Sequence, residues 1–250
     1  MAKRKHIDEI LRDWPYVPGS VLARRVKGSD GREVLQMRVE MGLLQMELEG
    51  RPDGERPEGA DTYFDHLLGL AVHRGENFEL DEEQCDEIDR EFVQFYHRRV
   101  CWLALREFRQ AQRDADHTLA LMDFASAHAP DEQWVLSHEQ YRPFVMFHRT
   151  QAAALAEVDA TGPEAAIDEI DAGLKRFQEL YVQYEAEEFY DEDELVSRLV
   201  ELRESIRDHY SIGPTLAEEL SEAVAKEEYE RAARLRDEIA RQPRSRGRKT

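Results

Sequence analysis

At 250 residues the chain has room for one large domain, or for a domain with appendages. A hydrophobic share of 41% suffices for a packed core, while 35% charged residues require extensive exposed surface. The net charge of −20 repels phosphate backbones and disfavours direct binding of DNA or RNA unless charge is segregated along the chain.

Lys3, Arg4 and Lys5 open the chain without an apolar segment behind them, so no secretory signal is expected. No apolar run approaches the roughly 20 residues that a membrane span needs. Residues 6–14 predict a short amphipathic helix through Ile7, Ile10, Leu11 and Trp14, ended by Pro15. Val21 to Val26 then leads into Lys27-Gly28-Ser29-Asp30-Gly31, a strong turn cluster. Leu35, Met37, Val39 and Met41 alternate with polar residues, the period of a half-buried strand. After Gly42 the phase slips to Leu44, Met46 and Leu48, as at a bulge or tight bend, and Gly50-Arg51-Pro52-Asp53-Gly54 ends the stretch. Two or three antiparallel strands are expected. A helix competes, because Leu35, Val39, Leu43 and Met46 also fit its period.

From Asp61 the pattern is helix after helix. Tyr63, Phe64, Leu67, Leu68, Ala71 and Val72 form one apolar face. Asp81 with Gln84 opens a long segment carrying Cys85, Ile88, Phe92, Phe95, Tyr96, Arg99, Trp102 and Leu103. A break near Arg106 leads to Phe108, Ala111, Ala115, Leu119 and Met122, stopped by Pro130. Ser137 with Gln140 is expected to cap the next helix, its buried stripe being Tyr141, Phe144, His148, Ala152 and Leu155. Thr161 with Glu164 is expected to cap another, through Ile167, Ile170, Leu174 and Phe177. Leu195, Leu199, Leu202, Ile206 and Tyr210 make a further helix before Gly213-Pro214.

Cys85 and Cys101, the two cysteines, would lie about 24 Å apart on one helix. A disulfide tolerates no more than about 7 Å between Cα atoms. Free thiols in a reducing cytoplasm are expected. Ala104 to Ala111, with Ala115 and Leu119, resembles the turn and second helix of a tetratricopeptide repeat, and Ala166, Ile170, Gly173 and Leu174 echo it. Small residues there let neighbouring helices approach closely. The echo falls 55 residues later, from Ala111 to Ala166, where that family repeats at about 34. A divergent repeat and an ordinary bundle of helical hairpins both remain open.

No phosphate-cradling glycine loop, nucleophile elbow, HExxH or CxxC pattern is present. His66 with His73, and Asp114 with His117, share helix faces but bring no third ligand. His148 on its apolar stripe reads as a hydrogen-bonded core histidine. No catalytic, cofactor-binding or metal residues are assigned. Nine carboxylates between Glu76 and Glu91, and seven between Glu185 and Glu194, are solvated helix ends or a steering surface for a basic partner. Trp134 with Tyr141-Arg142-Pro143-Phe144 has the composition of an interface anchor and equally of a core.

The end of the chain is the most specific. In residues 215–242 Thr215 and Glu218 have capping-box spacing, and Leu216, Leu220, Ala223 and Val224 form one helix face. Tyr229, Ala232, Leu235 and Ile239 form a second, with Glu227–Arg231 and Glu230–Arg234 as supporting pairs. Two helices this short bury little by themselves and call for a partner surface. Arg241, Arg244, Arg246, Arg248 and Lys249 then make a basic tail.

Leu220, Ala223, Glu227-Glu228-Tyr229-Glu230, Ala232-Ala233, Leu235-Arg236-Asp237 and Ile239 closely resemble the UVR motif. That motif is shared by the bacterial excision-repair proteins UvrB and UvrC, the McsA adaptor and some Clp ATPases. The resemblance implies a protein–protein docking hairpin that pairs with a UvrB/UvrC-like protein, a Clp-type enzyme or a second copy as a homodimer. The zinc-binding CxxC segments of McsA-like adaptors are missing here. Partner contacts are expected at Leu220, Val224, Tyr229, Ala232, Leu235, Arg236, Asp237 and Ile239.

The expected fold is mainly α: a tetratricopeptide-like array of helical hairpins with a small N-terminal antiparallel β element and a C-terminal UVR hairpin. Residues 1–60 would hold the sheet, 61–212 the helical domain, 213–242 the hairpin and 243–250 a disordered basic tail. Three functions fit. A non-enzymatic cytoplasmic adaptor fits best; the others are an accessory factor of nucleotide excision repair and an enzyme or ligand-binding protein with a site at the Gly50–Gly54 loop, through Arg51 and Asp53.

Overall fold

In the computed structural model, which describes residues 6–75 and 78–241, a short helix α1 (Ile7–Asp13) precedes a sheet of β1 (Leu22–Lys27), β2 (Glu33–Val39) and β3 (Gly42–Glu47). The basic residues at 3–5 and 243–250, and Glu76 of the first acidic run, lie outside the described residues. The sheet is antiparallel in the order β1-β2-β3, with Arg25 opposite Leu35 and Met37 opposite Leu44. Val39 pairs with Gly42, so the phase slip is a tight reversal between two strands, and Met41 at its tip points to solvent. The helical alternative for residues 35–46 does not form.

Both faces of β2 are covered. Leu35 and Met37 pack against Trp102, Ala111 and Ala152 of the helical body. On the other face Arg24 donates to Gln36 Oε1 at 2.8 Å and lies 4.1 Å from the Trp14 ring, and Arg38 donates to the Trp14 carbonyl at 2.8 Å. The segment after α1 therefore closes the outer side of the sheet.

The body follows as α2 (Tyr63–Arg74), α3 (Glu82–Ala104), α4 (Phe108–His128), α5 (Glu132–Glu139), α6 (Arg142–Ala160), α7 (Pro163–Gln183) and α8 (Glu194–Tyr210). Asp81 and Gln84 form the expected capping box of α3. Arg106, at φ 61°, makes the left-handed turn into α4. Cys85 and Cys101 are free and buried in α3.

Two expected caps are corrected. Ser137 lies inside α5 and bonds back to the Trp134 carbonyl at 2.6 Å, because Pro143 in the first turn of α6 starts that helix at Arg142. Tyr141 thus flanks α6 and is half exposed, where the sequence put it in the buried stripe. Thr161 ends α6 and hydrogen-bonds back to Glu157, while Gly162 and Pro163 start α7 without a side-chain cap. On α2 the apolar face is narrower than expected: Leu67 is buried, while Leu68 and Val72 face solvent.

Helices α3 and α4, α4 and α6, and α6 and α7 pack as neighbours, with α5 interposed between α4 and α6 in sequence. Small residues set the spacing. Ala152, Ala153, Ala154 and Ala156 of α6 are buried, as is Ala166 of α7. A Cβ on Gly173 would lie 2.2 Å from Thr150 Cγ2, closer than atoms can pack. Gly173→Ala is therefore expected to cost about 1–3 kcal/mol through overpacking, with Thr150→Ala in the same chain restoring part of it. Urea midpoints of the single and the double variant check this; an unchanged midpoint for Gly173→Ala would rule out the tight seam.

The chain divides into two compact units, Met1–Arg203 and Glu204–Thr250. No helix among the described residues is long and apolar enough to cross a membrane.

Candidate functional site

The second unit contains the predicted hairpin as α9 (Leu216–Ala225) and α10 (Tyr229–Arg241). Thr215 caps α9: its hydroxyl accepts from the Glu218 amide at 3.2 Å, and Glu218 Oε2 accepts from the Thr215 amide at 2.8 Å. Glu218 also pairs with Arg207, anchoring the cap to the preceding helical turn. The turn is built from backbone. Glu228 N–H donates to the Ala223 carbonyl at 2.8 Å and Glu227 N–H to the Val224 carbonyl at 3.0 Å, the two crossed bonds of a Schellman ending. Glu227 sits at φ 58°, a left-handed position that glycine usually fills.

That turn corrects one expected pair. Glu227 is outside α10, and Arg231 instead reaches Glu228 at 3.2 Å and Glu219 of α9 at 3.4 Å. Glu230 and Arg234 pair loosely at 3.9 Å. Glu222 and Lys226 form an exposed pair that holds the carboxyl below and the ammonium above their ordinary ranges.

The structure divides the eight expected contact residues. Ala232 and Leu235 of α10 are buried against Ala223, with Leu216 and Leu220 packed over them, so these side chains close the hairpin on itself. Ile239 is half buried. Val224 and Tyr229, on either side of the turn, are 54% and 68% exposed. Arg236 and Asp237 are exposed and pair with each other at 2.9 Å. Ala233, which carries the motif resemblance but was not among the expected contacts, and Ala240 are also exposed. With Tyr229 and Arg236 they recur every three or four residues along one side of α10. The signal was the helical period itself, read one stripe away from the seam.

The Gly50–Gly54 loop is a different kind of place. Arg51 is 2% exposed, with Nη2 2.7 Å from Glu87 and Nε 3.2 Å from Asp53. Its charge is spent on the body, so the loop offers no open recognition group at Arg51. Beside it Glu91, fully buried, accepts from the Tyr63 and Phe64 amides at 2.7 and 3.1 Å and meets His117 Nε2 at 2.9 Å. Glu91 thereby serves as the N-terminal anion of α2. Asp114 pairs with Arg98, and His117 with Glu91, so neither is paired with the other as a ligand set. Among the described residues no group of three or more His, Cys, Asp or Glu gathers at metal-binding geometry. The acidic runs are partly structural too: Asp193 caps α8 at the Leu195 amide (2.7 Å), and Asp89 accepts from Trp134 Nε1 (3.0 Å).

His148 is the core histidine that its stripe suggested. Its Nδ1 accepts from Arg99 Nε at 3.3 Å, and burial together with the Arg99 charge pushes its pKa down to about 3.

Compared with known protein families, residues 214–241 match the model described as the UvrB/uvrC motif. The match coincides with α9, its cap, the left-handed turn and α10. This segment is therefore a UVR motif, an interaction element known from DNA-repair and protein-interaction proteins and not itself catalytic. No curated protein and no solved structure matches the chain.

Proposed function

We propose that the chain is a non-catalytic adaptor that docks a protein partner through its C-terminal hairpin. The observation behind this reading is the exposed strip beside the closed seam: Tyr229, Ala233 and Ala240 on α10 with Val224 across the turn, inside the UVR segment. Small side chains let another helix approach closely, and an exposed tyrosine supplies rigid apolar area with a polar tip. Of the eight expected residues, we assign direct contact to Val224, Tyr229, Arg236, Asp237 and Ile239. Leu220, Ala232 and Leu235 hold the hairpin that presents them. In this reading residues 213–242 are the docking module, 61–212 its helical platform, 1–60 the platform's sheet and 243–250 a basic tail, all in the cytoplasm.

Two substitutions separate the roles. Tyr229→Asp changes a 68%-exposed side chain and is expected to weaken partner capture at least about tenfold while leaving the urea midpoint unchanged. Leu235→Asp places a carboxylate in the seam, so helicity of the hairpin and binding are expected to fall together. Affinity purification of the tagged chain, with each variant alongside, reads both. Undiminished capture by a Tyr229→Asp/Val224→Asp chain would refute docking through this face. The UvrB/uvrC motif favours excision repair as the second reading, and UvrA, UvrB or UvrC among the captured proteins would support it. A Clp ATPase would place the adaptor in protein quality control. Self-pairing would show as concentration-dependent sedimentation that Tyr229→Asp abolishes.

A further inference from the structure

A cavity of about 780 Å³ opens within the first unit, where α3, α5 and the start of α6 meet. Small-molecule sites typically measure about 300–1,000 Å³. Its walls are aromatic. Phe92 faces Tyr141 with ring centroids 6.1 Å apart, and Tyr96 faces Phe144 at 6.4 Å.

Arg99 also lines it, with 1% of its surface exposed. Nε donates to His148 Nδ1 at 3.3 Å and Nη1 to Thr118 Oγ1 at 3.0 Å. Neither partner is an anion, since Thr118 is a hydroxyl and His148 is held neutral. The contrast is with Arg98, equally buried, whose fork is filled by both oxygens of Asp114. A buried guanidinium without a facing carboxylate is costly, and burial draws the Arg99 pKa down to about 10 even though Asp114 pulls it upward.

We infer that this cavity binds a small planar aromatic monocarboxylate, its carboxylate pairing with Arg99 and its ring lying against the aromatic lining formed by Phe92, Tyr96, Tyr141 and Phe144. The planar guanidinium matches a carboxylate in shape and charge. Arg99 is the one permanent cation in the lining, too few for a phosphate dianion. Asp89, also in the lining, and the net charge of −20 oppose a second negative charge. Aromatic walls take a flat ring by offset or edge contact. The site is independent of the hairpin.

Calorimetric titration of the full chain with benzoate, 2-naphthoate and indole-3-acetate tests it, with 2-naphthylmethanol as the uncharged counterpart. At least one carboxylate is expected to bind with a Kd below about 1 mM. Arg99→Met, which keeps the length and removes the charge, is expected to weaken that binding by at least about tenfold and leave 2-naphthylmethanol unaffected. Val93→Trp, at a 49%-exposed rim position, is expected to fill the mouth and abolish binding in a folded chain. The site is refuted if none of the three carboxylates binds, if Val93→Trp binds normally, or if 2-naphthylmethanol binds as tightly as 2-naphthoate. Wild-type affinity in a folded Arg99→Met chain would refute it as well. Should that variant fail to fold, the rim variant and the charged-to-uncharged comparison decide.

Discussion

Replacing Asp114 by alanine is expected to cost the protein about 3–5 kcal/mol, the usual loss when one member of a buried ion pair is removed. Asp114 is fully buried and accepts from Arg98 Nε at 2.8 Å and Nη2 at 2.9 Å. Arg98 Nη1 reaches on to the carbonyls of Glu47 (3.1 Å) and Gly50 (2.8 Å), so one guanidinium joins α3, α4 and the end of the sheet. Without the carboxylate, a charge stays buried with only two carbonyls and the face of the Phe95 ring, 4.6 Å away, to offset it. A domain has only about 5–15 kcal/mol of net stability, so the loss is a large fraction of the whole. Changing both partners, Arg98→Met with Asp114→Leu, removes the stranded charge and is expected to be milder than Asp114→Ala. Equilibrium unfolding in urea measures both. A loss below about 1 kcal/mol for Asp114→Ala would place the pair in the class of weak surface bridges and contradict this account.

The second large effect is on pH dependence. His148 resists protonation in the folded chain down to about pH 3, because burial and the Arg99 charge oppose a second cation. In the unfolded chain it takes up a proton at its ordinary value of 6.5. The unfolded state therefore binds more protons at every pH between these values. Stability is fully present above pH 6.5 and is expected to fall by about 1.4 kcal/mol per pH unit on acidification towards 3. His97, also lowered by burial, adds to the slope. Glu157, held low by Thr161 and Arg109, contributes only below about its ordinary 4.5. Asp168, raised by burial and by neighbouring carboxylates, acts in the opposite sense above its ordinary 3.8, so the His148 contribution between pH 6 and 5 is read as a difference between variants. His148→Gln retains an acceptor for Arg99 without a titrating ring, and its urea midpoint is expected to change much less across that interval. Parallel slopes for the two proteins would show that His148 is not the titrating group.

Much of the architecture could be read from residue order because it depends on local chemistry. Asp81 with Gln84 and Thr215 with Glu218 cap their helices as their spacing requires, since both partners lie within one turn. The alternation of Leu35, Met37 and Val39 marks β2 as a strand, but the expected half-buried pattern is corrected: Val34, Gln36 and Arg38 are buried as well, because both faces of the strand are covered. Where reading failed, two local signals competed. Ser137 and Thr161 had cap-like spacing, yet Pro143 and Pro163 dictate helix starts more strongly, having no N–H to give and a φ already helical. Glu227 was assigned to a helical pair because nothing in its side chain announces a left-handed turn.

The sequence by itself determined the UVR segment, the helical succession and the small sheet, because periodicity, caps and breakers act over a few residues. Tertiary structure alone decided which way the faces point. Ala232 and Leu235 turn inward on their own hairpin while Tyr229 and Val224 stay in solvent, although all four share the apolar character that the sequence shows. It also decided the fates of Arg98 and Arg99. These neighbours carry the same charge and the same burial, but the 100° step between successive helical positions aims one at Asp114 and the other at the aromatic cavity. Such pairings join residues far apart in the chain, and no local pattern encodes them.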